Sequence, residues 1–168
     1  MIYIRFAAVV LLVLCGGACG IYNADKLRRR VELCTEAEKA MRLFEALIRT
    51  SGADVYRLIA AVKAERPQRL GFVYSLPDSF SSDCDIRQCW RELLMRENDI
   101  PDEEKNILID LGNMLGTTDI EGQLSCISAQ LVLMSSLREQ RAAEYRQKGR
   151  LYRSLGVMAG ISVGIIMI

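Results

Sequence analysis

The chain has 168 residues, 51% of them hydrophobic, and a formal net charge of +1, so it has room for one ordinary domain plus terminal anchors. A net charge so close to zero creates no overall field that would draw the chain to nucleic acid. The absence of histidine removes the residue most used for acid–base chemistry near neutral pH and the commonest metal ligand.

The first uncharged apolar run extends from Phe6 to Tyr22, and a basic cluster begins directly after it at Lys26. About 17 residues are just enough to cross a bilayer. A cleaved signal peptide is the alternative, because the triplet 17–19 is similar to a lipoprotein cleavage site. Basic residues directly after the run resist translocation, so we predict a retained transmembrane anchor at residues 1–23.

A second apolar run, counted from Leu151, closes the chain, with Arg153 near its start. We predict a C-terminal transmembrane anchor at 151–168, with the arginine reaching back to the interface. Basic residues flank the inner side of both runs, so the middle domain, 24–150, is predicted to be cytoplasmic in a two-pass topology. The basic flanks are expected to meet anionic lipid headgroups. The predicted membrane-surface residues are Lys26, Arg28, Arg29, Arg30, Arg146, Lys148, Arg150 and Arg153.

Glycines recur every four residues in the last run, at Gly156, Gly160 and Gly164. This spacing places them on one helical face, where another helix can approach closely. We predict a helix-packing face within the membrane. A glycine-tolerant membrane helix without a dedicated partner is the open alternative.

In the first half of the middle domain, apolar residues recur at three- and four-residue spacing from Asp25 to Ile48, which predicts one long amphipathic helix. The turn Thr50–Gly52 ends it, and a second helix is predicted from Val55 to about Arg66, before a proline. A short helix around Gln68–Leu76 is predicted next, followed by a loop.

In the second half, Asp83 or Asp85 is expected to cap a helix that buries Trp90. An acidic first turn after Pro101 opens the next helix, and Gly116 is well placed to end it.

A capping box of Thr118 and Glu121 then opens the last helix, which places Ile120 and Met134 on its buried face and runs through Tyr145 toward the anchor. No segment alternates as a strand would. The predicted fold is therefore all-α, a cytoplasmic antiparallel bundle of about six helices flanked by the two transmembrane helices.

The chemistry of a catalytic site is missing from the sequence. The glycine-containing segment 111–116 lacks the lysine and hydroxyl residue of a phosphate loop, and no cysteine spacing matches a metal site. In a cytoplasmic domain the six cysteines are expected to be free thiols, buried or in the membrane. We predict a non-catalytic protein with no cofactor, no metal and no small-molecule substrate.

Charge is segregated along the long axis of the predicted bundle, whose last helix, at about 30 residues from Asp119 to Lys148, is about 45 Å long. Its far end, together with the Thr50–Gly52 turn, forms a predicted membrane-distal tip. Acidic residues dominate between Glu97 and Glu121, against the single Lys105. This acidic tip fits a basic cytoplasmic partner; ordinary first-turn and solubility charges are the alternative.

Two late motifs resemble a known family. The pattern Leu111-Gly112-x-x-Leu115-Gly116-x-x-Asp119-x-x-x-Gln123, a long helix, and then the segment 152–156 are similar to the stage III sporulation protein AB family. The resemblance covers the whole chain in layout, and Trp90 falls where the family tends to have a tryptophan.

That resemblance implies a function. The family's cytoplasmic domain is similar to those of the type II secretion inner-membrane platform protein, and the family works in a secretion-like channel between mother cell and forespore. It implies a non-catalytic assembly subunit that contacts other membrane subunits and a cytoplasmic ATPase. The expected partner-binding residues at the tip are Leu111, Gly112, Leu115, Gly116, Asp119 and Gln123. The alternatives are a membrane-anchored sensor or transport accessory protein and, less favoured, a membrane-tethered enzyme.

Overall fold

A computed structural model describes residues 2–77, 79, 85–116 and 119–166, apart from side chains at 2–10, 12–13, 153, 155–157 and 159–166. The described residues form α-helices and one 3₁₀ helix and contain no strand, which confirms the all-α helical bundle. The elements are α1 (Ile2–Ser51), α2 (Val55–Ala64), the 3₁₀ helix (Gly71–Ser75), α3 (Ile86–Arg96), α4 (Asp102–Met114) and α5 (Ile120–Ile166).

The chain divides into two compact units. The central unit is Glu32–Arg138, and the terminal unit combines Met1–Val31 with Glu139–Ile168. Helices α1 and α5 each contribute to both units, because each continues without a break across a unit boundary, α1 after Val31 and α5 after Arg138. They also continue through the predicted anchor boundaries.

The central unit has a core built from the apolar stripes that the sequence spacing predicts. The amphipathic part of α1 buries Met41, Phe44 and Ile48, while α5 buries Ile127 and Met134. Residues three and four apart lie on one face of a helix, so a short repeat pattern is enough to give each long helix one buried side.

The segment between α2 and α3 is held down by polar contacts. Arg69 donates from its guanidinium to Glu32 at 2.8 Å and from its backbone N–H to Glu36 at 2.7 Å, which ties this segment to α1. Lys63 Nζ donates to the carbonyl of Leu76 at 2.7 Å. These contacts accompany a 3₁₀ helix shorter than the helix predicted for 68–76.

The ends of the shorter helices follow local chemistry. Asp54 and Asp85 accept hydrogen bonds from backbone N–H groups at the starts of α2 and α3, as N-cap residues do. Asp83, the alternative cap, lies outside the described residues. Helix α2 ends at Ala64, two residues earlier than predicted, and Arg66 follows it in the left-handed region at φ 52°.

Two carboxylates of the central unit are buried, and the sequence pattern indicated neither. Glu104, in the first turn of α4, is 0% exposed, and its Oε1 lies 3.9 Å from Cys34 Sγ of α1. Glu38 is held between Arg42 at 2.8 Å and Arg138 of α5 at 3.1 Å. The two arginines offset the charge of Glu38, because an unpaired buried charge is strongly destabilising.

The terminal unit contains both predicted anchors and their basic flanks. Among the described residues, no helix combines the length and the apolar character that a membrane crossing requires. The two transmembrane helices of the predicted topology thus gain no support here.

Candidate functional site

Gly112 lies where α4 meets the indole ring of Trp90. A Cβ built on Gly112 would lie 2.3 Å from Trp90 Cδ1 and 2.5 Å from Nε1, closer than real Cβ atoms approach other heavy atoms. The indole Nε1 donates to the carbonyl of Leu108 at 2.8 Å, and its ring meets Phe72 edge-on at 5.1 Å between centroids. Only glycine leaves room for this packing, and the expectation that Trp90 belongs to the core is confirmed.

Gly116 follows the C-terminal end of α4. Its φ of +75° lies in the left-handed region, which favours glycine. A Cβ built there would also lie 3.0 Å from Val55 Cγ2 of α2. The predicted helix stop at Gly116 is confirmed, and its close approach to α2 gives a second reason for glycine.

Asp119 begins α5. Its Oδ1 accepts from the N–H of Gly122 at 3.2 Å, and its carbonyl accepts from the N–H of Gln123 at 3.0 Å. These are the contacts of an N-cap residue. The capping box was predicted at Thr118, which lies outside the described residues. The signal for Asp119 was present, since aspartate directly before an apolar helix start is a preferred cap.

The six residues predicted to bind a partner therefore separate into three groups by their exposure. Leu111, Gly112 and Leu115 are buried in the central unit, so they contribute to its packing, and direct contact of these three with a partner stays a prediction. Gly116 and Asp119 are exposed. Gln123, the sixth residue of the set, is half-buried.

One exposed side chain near Gly116 and Asp119 in the sequence is apolar. Ile120 was predicted to face the core, but 52% of it is exposed, and its Cδ1 would lie 3.7 Å from a Cβ built at Gly52. Glu121 beside it is also exposed. We define the tip surface as Gly116, Asp119, Ile120, Glu121 and Gln123; its charged members are both acidic.

The core of the central unit contains a cavity, partly lined by Trp90, that is too small for a substrate. This cavity of about 10 Å³ is lined by apolar side chains, among them Ala37, Phe72 and Trp90. A single water needs about 10–15 Å³. No cluster of three or more histidine, cysteine or acidic residues suited to a metal occurs among the residues that the structure describes.

The basic flanks belong to the terminal unit, and the side chains of Lys26, Arg28, Arg29, Arg146, Lys148 and Arg150 are exposed while Arg30 is half-buried. Lys148 Nζ donates to Glu144 at 2.8 Å. This hydrogen bond lowers the pKa of the Glu144 carboxyl and raises the pKa of Lys148. The side chain of Arg153 and the surroundings of Gly156, Gly160 and Gly164 lie outside what the structure describes.

The cysteines correct one expectation. Cys15, Cys19, Cys34 and Cys126 are not disulfide-bonded, and burial raises the pKa of the Cys126 thiol, with Asp110 adding to the effect. Cys89, however, is disulfide-bonded, so the prediction of free thiols is wrong there. Cys84 lies outside the described residues.

The fold and this site define a class: an all-α helical protein whose late motif forms helix ends and makes room for a packed tryptophan. The chain belongs to the stage III sporulation protein AB family, whose family model matches residues 5–168. This membership confirms the resemblance and is consistent with a role in sporulation. No curated protein and no solved structure shows a significant match to the chain.

Proposed function

We propose that the chain is a non-catalytic structural subunit of a secretion-like channel complex, built between mother cell and forespore during engulfment. The observation that carries the proposal is the family match over residues 5–168. The physical chemistry of the site is compatible with it, because the motif residues that the structure describes serve packing and helix ends.

The proposal includes a membrane mount on the mother-cell side. Two uncharged runs, 6–22 and 154–168, each carry basic residues on the side that faces the middle of the sequence. Basic flanks of this kind stay on the cytoplasmic side of membrane anchors and attract anionic headgroups. In this arrangement Gly156, Gly160 and Gly164 pack against other membrane subunits of the complex.

The mount is tested by alkaline carbonate extraction of membranes from sporulating cells. The proposal expects the full chain to remain in the membrane pellet, because integral helices resist this treatment. A chain that is released as completely as a peripheral control protein refutes the mount, while leaving the family assignment intact.

Topology has its own test at Cys89. The cytoplasmic placement predicts a reduced Cys89 thiol in the cell, because disulfides persist in oxidising compartments and are rare in the cytoplasm, whereas Cys89 is disulfide-bonded in the structure. A membrane-permeant maleimide applied to living cells reports whether the Cys89 thiol is reduced. Labelling of Cys89 without a reductant supports the cytoplasmic placement, and labelling only after reduction overturns it.

The tip surface is the part that we assign to a cytoplasmic ATPase of the same complex. Asp119 and Glu121 supply acidic groups that attract a basic partner surface, and exposed Ile120 supplies an apolar contact. The test variant is Asp119→Asn with Glu121→Gln, because asparagine caps a helix as well as aspartate does and the charge is removed without loss of the cap.

The matched control removes the same charge elsewhere, as Glu65→Gln with Glu92→Gln at exposed positions. In a strain lacking the wild-type chain, the tip variant is expected to lower the number of heat-resistant spores at least tenfold and to lose crosslinks to the ATPase. Spore numbers and crosslinks equal to those of the control variant contradict the tip assignment.

A further inference from the structure

One side of α5 is exposed but uncharged. From 122 to 137 the helix contains no aspartate, glutamate, lysine or arginine, and its inner side buries Ile127, Met134 and Leu137. The outer side carries Val132, 64% exposed, and Leu133, 53% exposed. We define the α5 outer face by its exposed members, which are Ser125, Ser128, Ala129, Val132, Leu133 and Ser136.

A solvated helix normally keeps charged side chains on its outward side, and 26% of the residues in this chain are charged. The other α-helices of the central unit follow that rule. Their exposed residues include Arg42 of α1, Arg57 of α2, Arg91 of α3 and Asp110 of α4. The α5 outer face is the exception among these described helices.

We propose that a second copy of this chain covers the α5 outer face, using its own α5 outer face. An uncharged surface is matched by another uncharged surface, because burying charge against it is costly. Among the described helices of the central unit, only α5 carries such an exposed, uncharged face. A twofold contact requires such a self-complementary patch.

The side chains fit close helix packing. Serine and alanine at 128, 129 and 136 surround Val132 and Leu133, and small residues let two helices approach to about 8–10 Å. From Ser125 to Ser136 the face is about 17 Å long. A contact of this length buries less than the roughly 800 Å² per partner of a standard interface, so the dimer is weak and concentration-dependent.

The experiment is sedimentation equilibrium of the purified full chain in density-matched detergent over a range of concentrations. Val132→Glu and Val132→Lys, measured singly, are each expected to raise the dimer dissociation constant at least tenfold, because like charges meet near the twofold axis. An equimolar mixture of the two variants is expected to restore association, because opposite charges then face each other.

The matched controls are Met95→Glu and Met95→Lys on α3, where Met95 is also 64% exposed. They introduce the same charges outside the α5 outer face and are expected to leave the dissociation constant unchanged. Fluorescence of Trp90 during urea unfolding checks that every variant folds. If a Val132 variant unfolds earlier than wild type, Ser128→Glu and Ser128→Lys repeat the test at an exposed polar position.

Three results overturn the proposal. The first is a wild-type chain that stays monomeric at every concentration. The second is a dimer that the folded Val132 and Ser128 variants do not weaken, which assigns association to another surface. The third is a mixture of opposite charges that associates no better than the single variants, which excludes a twofold contact through this face.

Discussion

Replacing Gly112 with alanine adds one methyl group where α4 faces the indole of Trp90. The new Cβ would lie 2.3 Å from Cδ1, so either the ring or α4 must move. Moving the ring breaks its hydrogen bond to the carbonyl of Leu108 and its edge contact with Phe72. We expect Gly112→Ala to destabilise the folded chain even though alanine is the better helix former.

The expected change in the free energy of unfolding is the sum of opposing effects. Alanine in a helix interior favours folding by about 1 kcal/mol relative to glycine. Overpacking costs about 1–3 kcal/mol, and a buried donor left without its acceptor costs about 1–3 kcal/mol. The net loss expected for Gly112→Ala is therefore about 1–5 kcal/mol of the free energy of unfolding, centred at about 3 kcal/mol, a large fraction of the roughly 5–15 kcal/mol that stabilises a typical domain.

The assay is urea unfolding of the full chain. Trp90 is the single tryptophan, so its fluorescence reports the packing at the substituted position, and circular dichroism at 222 nm reports the helices. Urea slopes are typically about 1–3 kcal/mol per molar, so at a slope of about 2 kcal/mol per molar the central loss of about 3 kcal/mol lowers the midpoint by about 1.5 M. Gly71→Ala is the control, because its Cβ would lie at an ordinary 3.8 Å from Glu97 Oε1 and should change stability by less than about 0.5 kcal/mol.

A double-mutant cycle with Trp90→Phe separates the clash from other effects of alanine. The smaller ring has no Nε1 and leaves more space, so Gly112→Ala should cost at least about 1 kcal/mol less in that background. The reasoning is refuted if alanine stabilises the wild-type chain, as helix propensity alone requires, or if its effect is equal in both backgrounds.

Three further predictions concern helix ends and an ion pair. Asp119→Ala should lower stability by about 1 kcal/mol while Asp119→Asn stays near zero, as thermal unfolding by circular dichroism will show; equal losses would contradict the cap. Gly116→Ala should cost more than Gly52→Ala, because both have positive φ, worth about 1–2 kcal/mol, but only the former also has a neighbour at 3.0 Å; the reverse order in urea unfolding would be inconsistent with this contact. The lowered pKa of Glu144 means that its ion pair with Lys148 stabilises above the ordinary value of 4.5 and is lost as pH falls through the folded-state pKa. Lys148→Met should therefore raise the carboxyl pKa in an NMR titration, and an unchanged titration would show that the hydrogen bond is not its cause.

Local patterns predicted much of the fold. Spacing of apolar residues along α1 and α5 identified their buried sides, and Gly116 marked the end of α4. These features depend on residues within a few positions of each other, which is why sequence reasoning reaches them. The same reasoning placed Ile120 in the core, because periodicity identifies residues that share a helix face but does not decide whether another element covers that face.

In the candidate site, too, local features were predictable from the sequence and contacts between distant residues were not. Sequence alone determined that the motif from Leu111 to Gln123 contains helix-ending and helix-starting residues, and its pattern was enough to indicate the family. Only the tertiary structure decided that Gly112 makes room for Trp90 and that Glu104 is buried beside Cys34. Such facts depend on contacts between residues far apart in the chain, and side-chain packing rather than local propensity sets them.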